Sequence, residues 1–495
     1  MYFPSLEEFR EKAKEGNLIP VYKEIMADME TPVTAFLKID TGKYSFLLES
    51  VEGGEKWGRY SILGSNPSII FNCKGNKVTV TRDSVTESLE TADPLSVLKE
   101  LMDRYKPVKL PELPRFFGGA VGFLSYDMVR FFEDIGNTAA DTLKIDDAVF
   151  VITDTLLIFD NLKHRIKVVS NAHINGDADS AYNEAAARID AIIERLKAPL
   201  SPAITLSLRE REGVRGQVAI NPEMAKEAYL EMVRKAKEYI KAGDIIQVVP
   251  SQRFRAELTA TPFNIYRALK LINPSPYMYY LKFDDLTIIG TSPEILVRVE
   301  SEDVDVRPIA GTRRRGKTDD EDMALEKELL ADPKERAEHI MLVDLGRNDI
   351  GRIAEVGSVE VTELMTVERY SHVMHIVSNV RGKLKAGVDS FDVLRATFPA
   401  GTVSGAPKVR AMEIIEELEP SRRGPYAGCL GYFGFSGNMD MCITIRTIII
   451  KDNTIYMQAG GGVVADSDPE AEYQETVNKA TALFKAVEMA AEGLE

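Results

Sequence analysis

The pattern of apolar and polar positions divides the chain into strand-like and helix-like segments. Apolar residues alternate with polar ones or form short runs in YSFLLES at 44–50 and AVFVITDTLLIFD at 148–160, which predicts strands. In AYNEAAARIDAIIERLKA at 181–198 they recur three and four positions apart, which predicts an amphipathic helix. Residues 1 to about 195 are therefore predicted to form mainly strands with one long helix.

The second half of the chain shows a similar mixture. A helix is predicted from Asn221-Pro222, where Asn can cap and Pro can occupy the first turn, to Gly243. Beyond it, strand-like runs such as LTIIG and TIYMQAG alternate with helical ones, and KDN at 451–453 has the length of a hairpin turn. The pattern favours an α+β fold, mixed α/β with antiparallel sheets, over a parallel doubly wound one.

One segment between the two halves has only weak periodicity. PLSPAITLSLREREGVRGQ at 199–217 combines proline with a cluster of charges, which is typical of a linker. We therefore divide the sequence into an N-terminal region, residues 1–210, and a C-terminal region, residues 211–495. At 495 residues the chain is long enough for more than one hydrophobic core.

Composition narrows the class of function. The 44% of hydrophobic and 28% of charged residues are typical of a globular protein in water, and the formal net charge of −16 argues against coating nucleic acid or an anionic membrane. Three scattered cysteines are too few for a disulfide framework. The start lacks an export signal, and no run of about 18 apolar residues could span a bilayer. We expect a cytoplasmic protein with no nucleic-acid or membrane partner.

Two predicted helices each present a pair of carboxylates three residues apart, and therefore on one face. The pairs are Glu335 with Glu338, in a helix predicted at 332–352, and Glu472 with Glu475, in a helix predicted from Asp468-Pro469. Each pair alone is typical of a solvated, charged helix. Together, two carboxylate faces suit an oxygen-coordinated Mg²⁺, which keeps waters and takes its remaining ligand from a substrate.

Two further segments carry residues that a packed core does not require. Gly460, Gly461 and Gly462 follow a predicted strand, so backbone N–H groups can approach an anion, although such glycines are also typical of a plain turn. RYSHVMHIVS at 369–378 contains two histidines. His375 is either a core histidine bonded to backbone or a group that transfers protons near neutral pH.

Nine segments resemble, in the same order, those of the chorismate-utilising enzymes, and the resemblance is most specific over residues 244–480. They are NPSPYM (273–278), GTSPEI (290–295), RPIAGT (307–312), ERAEHIMLVDLGRNDIGR (335–352), RYSHVMHIVS (369–378), FPAGTVSGAPKVRAMEII (398–415), GPYAGCLGYF (424–433), IRT (445–447) and QAGGGVVADSDPEAEYQET (458–476). The resemblance implies two closely packed subdomains with large, mainly antiparallel sheets flanked by helices.

The same resemblance implies roles for individual residues. Glu338 and Glu475 match Mg²⁺ ligands, with Glu335 and Glu472 in or beside that shell. The positions that match chorismate contacts are Gly311, Thr312, Tyr426, Arg446 and the backbone of Gly460, Gly461 and Gly462, and those that match the lining of the reacting ring are His375, Thr402 and Glu294. Chorismate is a dianion, so an arginine can pair with one carboxylate while Mg²⁺ neutralises the other.

Two positions help to separate the reactions within this family. Enzymes that make 4-amino-4-deoxychorismate tend to carry a lysine where this chain has Ala310, and isochorismate and salicylate synthases tend to carry one where it has Gln247. The lack of both lysines resembles the branch that makes anthranilate and pyruvate from chorismate and ammonia. An aminodeoxychorismate-forming enzyme and a catalytically idle chorismate or tryptophan sensor are the alternatives.

The resemblance extends to regulation and to a partner. LLES at 47–50, EKWGRYS at 55–61 and NPSPYM match a tryptophan-binding feedback element, which implies that tryptophan contacts Glu49, Ser50, Pro276, Tyr277 and Met278. AGCLG around Cys429 resembles the nucleophile turn of glutamine amidotransferases, yet such an enzyme needs a downstream histidine, and every histidine here precedes Cys429. Cys429 is therefore predicted to be a packed strand residue. A separate glutamine amidotransferase subunit is implied as the ammonia source, and with it a hetero-oligomer.

Overall fold

The computed structural model describes residues 1–40, 42–50, 59–200, 218–370 and 373–494. Helices and strands alternate along these residues, which confirms the mixed α/β prediction. The α-helices are α1 Leu6–Lys12, α2 Pro32–Ile39, α3 Pro94–Asp103, α4 Ala178–Lys197, α5 Lys226–Ala242, α6 Pro262–Ile272, α7 Asp319–Ala331, α8 Pro333–Gly351, α9 Ser390–Thr397, α10 Lys408–Leu418 and α11 Pro469–Glu492.

The strands within the described residues are two to eleven residues long. They are β1 Leu18–Met26, β2 Tyr44–Glu49, β3 Tyr60–Ser65, β4 Ile69–Lys74, β5 Lys77–Arg82, β6 Val85–Glu90, β7 Gly119–Leu124, β8 Ala148–Thr153, β9 Thr155–Asp160, β10 Arg165–His173, β11 Asn221–Pro222, β12 Gln247–Val248, β13 Ser251–Glu257, β14 Tyr277–Phe283, β15 Leu286–Ser292, β16 Ile295–Glu300, β17 Asp303–Val306, β18 Ile309–Arg314, β19 Glu360–Arg369, β20 Val373–Lys383, β21 Gly405–Ala406, β22 Cys429–Gly434, β23 Met439–Ile443, β24 Thr447–Lys451 and β25 Thr454–Gly460.

Two large antiparallel sheets dominate the fold. The first sheet has 11 strands in the order β1-β10-β9-β3-β2-β14-β15-β24-β25-β13-β11. The second has 12 strands in the order β18-β20-β17-β16-β23-β22-β7-β8-β4-β5-β6, with β19 also pairing with β20. This arrangement confirms the prediction of large, mainly antiparallel sheets.

The two sheets pack face to face and are covered by helices on their outer sides. One buried cluster between them combines Phe46 and Leu281 of the first sheet with Phe123 and Tyr432 of the second. A second cluster joins the outer face of the first sheet to α1, α2, α4, α6 and α11, and a third joins the outer face of the second sheet to α3, α8 and α9. Helices α8 and α11 therefore approach the sandwich from different sheets.

Both halves of the sequence contribute strands to both sheets. In the first sheet β2 pairs with β14, and in the second β7 pairs with β22. The boundary placed between residues 210 and 211 lies within 201–217, outside the described residues. The run at 148–160 is likewise divided at Asp154, because β8 joins the second sheet and β9 joins the first.

The helix that precedes Gly243 differs from its prediction at one end. Gly243 follows α5 with a left-handed φ of 85°, as the pattern predicted. The start at Asn221-Pro222 is wrong, because these two residues pair with Arg255 and Phe254 at the edge of the first sheet, and α5 begins at Lys226. The edge of the first sheet offers hydrogen-bond partners to the backbone of these residues, so their polar groups do not need to form helical hydrogen bonds.

Two other predictions are confirmed by local geometry. Helix α4 covers almost all of 181–198 and is capped by Asp177. The KDN turn joins β24 to β25, and both Asp452 and Asn453 have positive φ, as a tight hairpin turn of type I′ requires. No helix within the described residues is both long and apolar enough to cross a membrane.

Candidate active site

Two capped helices bring the four predicted carboxylates to one region. Helix α8 begins after Asp332, whose carboxylate accepts hydrogen bonds from the N–H groups of Lys334 at 2.9 Å and Glu335 at 3.3 Å. Helix α11 begins after Asp468, whose carboxylate accepts from Ala471 N–H at 3.0 Å, with Pro469 in the first turn. These caps set the rotation of each helix, and therefore the face on which its glutamates lie.

The carboxylates of Glu338 and Glu472 lie in surroundings that disfavour negative charge. Burial is the main cause that raises the pKa of each, and the negative charge of Glu475 adds to it. The Glu338 carboxylate accepts a hydrogen bond from Gln247 Nε2 at 3.1 Å. Glu472 is buried, and within the described chain its Oε2 atom has no hydrogen-bond partner. Such a pair of under-neutralised carboxylates favours binding of a cation.

The other two carboxylates are paired with cations of the protein itself. Glu335 lies 3.0 Å from Arg313 Nη1, and Glu475 lies 2.6 Å from Lys479 Nζ. Among the described residues no group of three or more His, Cys, Asp or Glu side chains is close enough to enclose a metal. Mg²⁺ is commonly held by one or two carboxylates, with waters and substrate oxygens as its other ligands. The donor set on these two helices is therefore of the kind that suits Mg²⁺.

The predicted glycine segment passes between the two carboxylate-bearing helices. A Cβ atom on Gly461 would lie 2.8 Å from Glu472 Oε2, and one on Gly462 would lie 2.4 Å from Gln247 Nε2. The N–H of Gly461 donates to the Pro250 carbonyl at 3.2 Å, so this group is already used within the protein. The glycines are thus needed for close packing around the carboxylates as well as for any approach of an anion.

Arg446 provides an unpaired positive charge next to these carboxylates. It stands in the turn between β23 and β24 with a left-handed φ of 52°. Its guanidinium forms no hydrogen bond or ion pair with any residue that the structure describes, and burial lowers its pKa. Tyr426, Glu475 and Glu294 are the charged or ionisable groups that act on it electrostatically. A half-buried arginine with free donors is suited to bind a carboxylate in two-point fashion.

His375 is held in one orientation by the edge of the second sheet. It lies on β20 opposite Thr312 of β18, where a bulge at Gly311 interrupts the register. The Nδ1 atom is 3.1 Å from the Gly311 carbonyl oxygen and 3.0 Å from Thr312 Oγ1. Since a carbonyl only accepts, Nδ1 carries the proton of the neutral ring, and Nε2 keeps its lone pair. Burial lowers the pKa of His375, which favours this neutral form.

His375 therefore combines both alternatives that the sequence left open. It is bonded to backbone, as a core histidine is, and it also retains a free basic nitrogen. Gly311 has a φ of 71°, and a Cβ atom there would lie 3.1 Å from Glu335 Oε2. The bulge thus links the histidine to the carboxylate helix α8. The second histidine of this segment, His372, lies outside the described residues.

Glu294 and Thr402 line a small cavity of about 30 Å³. Glu294 immediately precedes β16 and is 6% exposed. Burial raises the pKa of its carboxyl to about 8, while Thr402 and the positive charges of Lys479 and Arg446 oppose the rise. Glu294 is therefore mostly protonated at neutral pH and can donate a proton.

Lys479 and Gln247 have larger structural roles than their sequence context indicated. The sequence predicted that Lys479 forms an ordinary ion pair with Glu475 within one helix. In the structure its Nζ also donates to the Gly460 carbonyl at 2.9 Å. In the sequence, Gln247 was notable only because isochorismate and salicylate synthases tend to carry a lysine at that position. In the structure its side chain donates a hydrogen bond to Glu338. The i, i+4 spacing of Glu475 and Lys479 was the one signal available. Cys429 begins β22 and is buried, which confirms its prediction as a packed strand residue.

A second cavity, of about 110 Å³, lies between the two sheets. Its lining does not include the glutamates of α8 and α11 described above. All five residues predicted to contact tryptophan line it: Glu49, Ser50, Pro276, Tyr277 and Met278. Glu49 and Met278 are paired across β2 and β14. The Glu49 carboxylate accepts from Lys270 Nζ at 2.8 and 2.9 Å and from the Tyr266 hydroxyl, both of α6. The structure therefore brings these distant segments into one recess.

Comparison with known proteins gives a consistent result. A family model described as chorismate binding enzyme matches residues 45–485. Curated proteins named anthranilate synthase component 1 are 51% identical in Acetivibrio thermocellus, over 99% of this chain and 100% of that protein, and 48% identical in Pseudomonas aeruginosa, over 99% of both.

Solved structures agree with the sequence comparison. The chain is similar to anthranilate synthase component I from Streptococcus pneumoniae, at 40% identity and a TM-score of 0.79 over 93% of this chain and 99% of that one. The menaquinone-specific isochorismate synthase of Escherichia coli, at 18% identity and a TM-score of 0.69 over 98% of this chain and 99% of that one, shares the fold.

Proposed function

This chain belongs to the chorismate-binding enzyme family, within its anthranilate synthase component 1 branch, and we propose that it makes anthranilate and pyruvate from chorismate and ammonia, the first committed step of tryptophan biosynthesis. The observation that carries the proposal is that two groups act electrostatically on Arg446, whose guanidinium has no partner among the described residues: Glu294, whose pKa burial raises to about 8, and His375, whose pKa burial lowers. One group can supply a proton and the other can remove one, beside a site for an anion.

The residues divide the work of the reaction between binding and proton transfer. Arg446 pairs with a carboxylate of chorismate, and Tyr426 with the Gly460–Gly462 segment bounds the ring. Glu294 donates a proton to the 4-hydroxyl, which leaves as water while ammonia adds at C2. His375 Nε2 then removes the C2 proton as the bond between C3 and the ether oxygen breaks, and the ring becomes aromatic; the released enolpyruvate takes up a proton and becomes pyruvate.

Mg²⁺ would be held by Glu338 and Glu475, with Glu335 and Glu472 in or beside that shell. When bound, it supplies a positive charge that neutralises and orients a substrate carboxylate. The raised pKa of Glu338 and the unpartnered Oε2 of Glu472 support this assignment, because both features indicate a missing positive charge. Glu335 and Glu475 are each paired with a cation of the protein, Arg313 and Lys479, so Mg²⁺ would share these carboxylates with those side chains.

We also propose that ammonia reaches this chain from a separate glutamine amidotransferase subunit in the cytoplasm. Support comes from Cys429, which is buried on a strand where burial raises its thiol pKa, so it is not a reactive nucleophile. The component 1 naming of the relatives also implies a second component. The isolated chain should use ammonium but not glutamine.

Regulation by tryptophan is the third part of the proposal. The 110 Å³ cavity combines an aromatic and apolar lining with the carboxylate of Glu49, which suits an amino acid with an aromatic side chain. Glu49 is bonded to Lys270 and Tyr266 of α6, and α6 packs on α11, which carries Glu472 and Glu475. A ligand ammonium that competes for Glu49 would act on the helix that carries the metal carboxylates.

One assay tests these proposals together. Purified protein is given chorismate, ammonium and Mg²⁺ at mildly alkaline pH, and the fluorescence of anthranilate is followed with and without EDTA and tryptophan. Anthranilate formation that stops with EDTA and falls with tryptophan is the expected result. Consumption of chorismate without anthranilate would instead indicate a 4-amino or isochorismate product, and binding without turnover would indicate a sensor.

A further inference from the structure

Behind the candidate active site lies a buried ion pair, Arg423 with Glu419, that the proposed reaction does not use. Arg423 Nε donates to Glu419 Oε2 at 2.9 Å, and Arg423 Nη2 donates to Glu419 Oε1 at 2.6 Å. The side chains are 1% and 4% exposed. Burial of two charges is costly even when they are paired, so the pair is expected to have a use beyond stability.

Other hydrogen bonds of this pair reach residues distant in sequence. Arg423 Nη1 donates to the Val403 carbonyl at 2.7 Å, and Arg423 Nη2 donates to the Val249 carbonyl at 2.6 Å. Glu419 Oε1 accepts from both the N–H and the hydroxyl of Ser251 at 2.8 Å. The ion pair therefore joins the segments around residues 249–251 and 403.

These two segments carry proposed substrate contacts. Val403 directly follows Thr402, and Ser251 is paired with Gly460 across β13 and β25. The residue between Val249 and Ser251 is Pro250, whose carbonyl accepts the N–H of Gly461.

The aromatic side chains on either side of the guanidinium complete the connection. The centre of the Arg423 guanidinium lies 5.6 Å from the ring centroid of Tyr426 and 4.8 Å from that of Tyr126. One buried guanidinium thus contacts the ring of Tyr426, the turn that contains Thr402 and the segment that leads into β13, the strand paired with β25.

We propose that Arg423, oriented by Glu419, is a positioning residue for the reaction, which fixes Thr402, Tyr426 and Gly460 relative to one another without touching the substrate. This inference rests on the proposed function of the site. The planar fork of an arginine can donate to a carboxylate and to two carbonyls at once, whereas the single ammonium of a lysine cannot reach all three with the same geometry. Arg423→Lys therefore keeps the charge and removes the geometry.

The test compares Arg423→Lys with Arg130→Lys. Arg130 also forms an ion pair that is largely buried, with Glu416 of α10, and its carboxylate partners, Glu416 and Asp127, are not proposed substrate contacts. For each variant we would measure the melting temperature, chorismate affinity by calorimetry, and kcat and KM with ammonium. We expect Arg423→Lys to lower kcat by about 10- to 100-fold and to weaken chorismate binding by about tenfold, because misplacement by about 1 Å has effects of this size.

Arg130→Lys should lower the melting temperature to a similar extent but leave kcat and chorismate affinity within about twofold of the unmodified chain. Equal kcat and affinity in the two variants would overturn the positioning role. If Arg423→Lys does not fold, Glu419→Gln decides by the same measurements, since it keeps the shape and removes one charged partner. An unmodified chain that binds chorismate but makes no anthranilate would refute the proposed function, while the affinities would still test the ion pair.

Discussion

Proton donation by Glu294 can be tested through its pH dependence and one conservative substitution. The carboxyl has a pKa of about 8, raised by burial from 4.5, so the protonated donor exists at neutral pH. A carboxyl with that pKa is about 90% protonated at pH 7 and about 10% protonated at pH 9, whereas at 4.5 it would be about 0.3% protonated at pH 7. Burial therefore increases the population of the acid form by about 300-fold at pH 7.

The direction of the pH effect on kcat/KM follows from the protonation state in which Glu294 acts. The donor is present below pH 8 and is lost as the pH rises through that value, so kcat/KM for chorismate should fall about tenfold between pH 7 and pH 9. The assay is anthranilate fluorescence at constant free ammonia, because the ammonium equilibrium would otherwise raise the rate over the same range. kcat/KM is the appropriate quantity, since it reports the free enzyme.

Glu294→Gln separates proton donation from packing. The amide has nearly the same shape but cannot transfer a proton, so kcat should fall by about 100-fold or more. The pH dependence of the folding stability of this variant gives an independent control. In the unmodified chain the raised pKa of Glu294 means that the folded state binds more protons, so stability falls as the pH rises from 4.5 to about 8.

The Glu294→Gln variant should lack the contribution of Glu294 to the fall in folding stability between pH 4.5 and about 8. A variant that retains kcat within about threefold, or an unmodified chain whose kcat/KM is constant across pH 8, would refute the assignment of Glu294 as the acid.

Four further outcomes follow from the same geometry. His375→Met should allow ammonia to add but stall aromatisation, so an amino-deoxyisochorismate intermediate accumulates and is detected by mass spectrometry; normal anthranilate would contradict this role. Glu338→Gln should raise the Mg²⁺ concentration for half-maximal activity by about tenfold or more, because a ligand charge is lost, and an unchanged Mg²⁺ titration would exclude it as a ligand. Glu49→Gln should raise the tryptophan concentration for half inhibition by about tenfold while leaving uninhibited kcat unchanged; undiminished inhibition would remove Glu49 from the tryptophan site. Gly462→Ala should lower kcat, since its Cβ would lie 2.4 Å from Gln247 Nε2 and displace the hydrogen bond to Glu338; an alanine variant with full kcat would show that this packing is not needed.

Features that depend on neighbours in sequence were predicted well. The helix start at Asp468-Pro469, the i, i+3 glutamates and the hairpin turn KDN at 451–453 each depend on a few consecutive residues. The start of α5 was wrong because Asn221-Pro222 is as suitable for an edge strand as for a helix start, and only the neighbouring β13 decides between them. The resemblance of ordered motifs supplied the candidate residues, which local pattern alone left undecided.

The sequence by itself determined the types of element, the class of fold and the family of the chain, because periodicity, caps and ordered motifs are properties of short segments. Only the tertiary structure decided that both halves share both sheets, that Glu49 lies beside Met278, and that Arg423 connects the loops behind the site. It also decided that the pKa values of Glu294 and Glu338 are raised and that of His375 is lowered. A pKa depends on the water that distant segments exclude and on the charges they bring near, and neither is encoded in the adjacent residues.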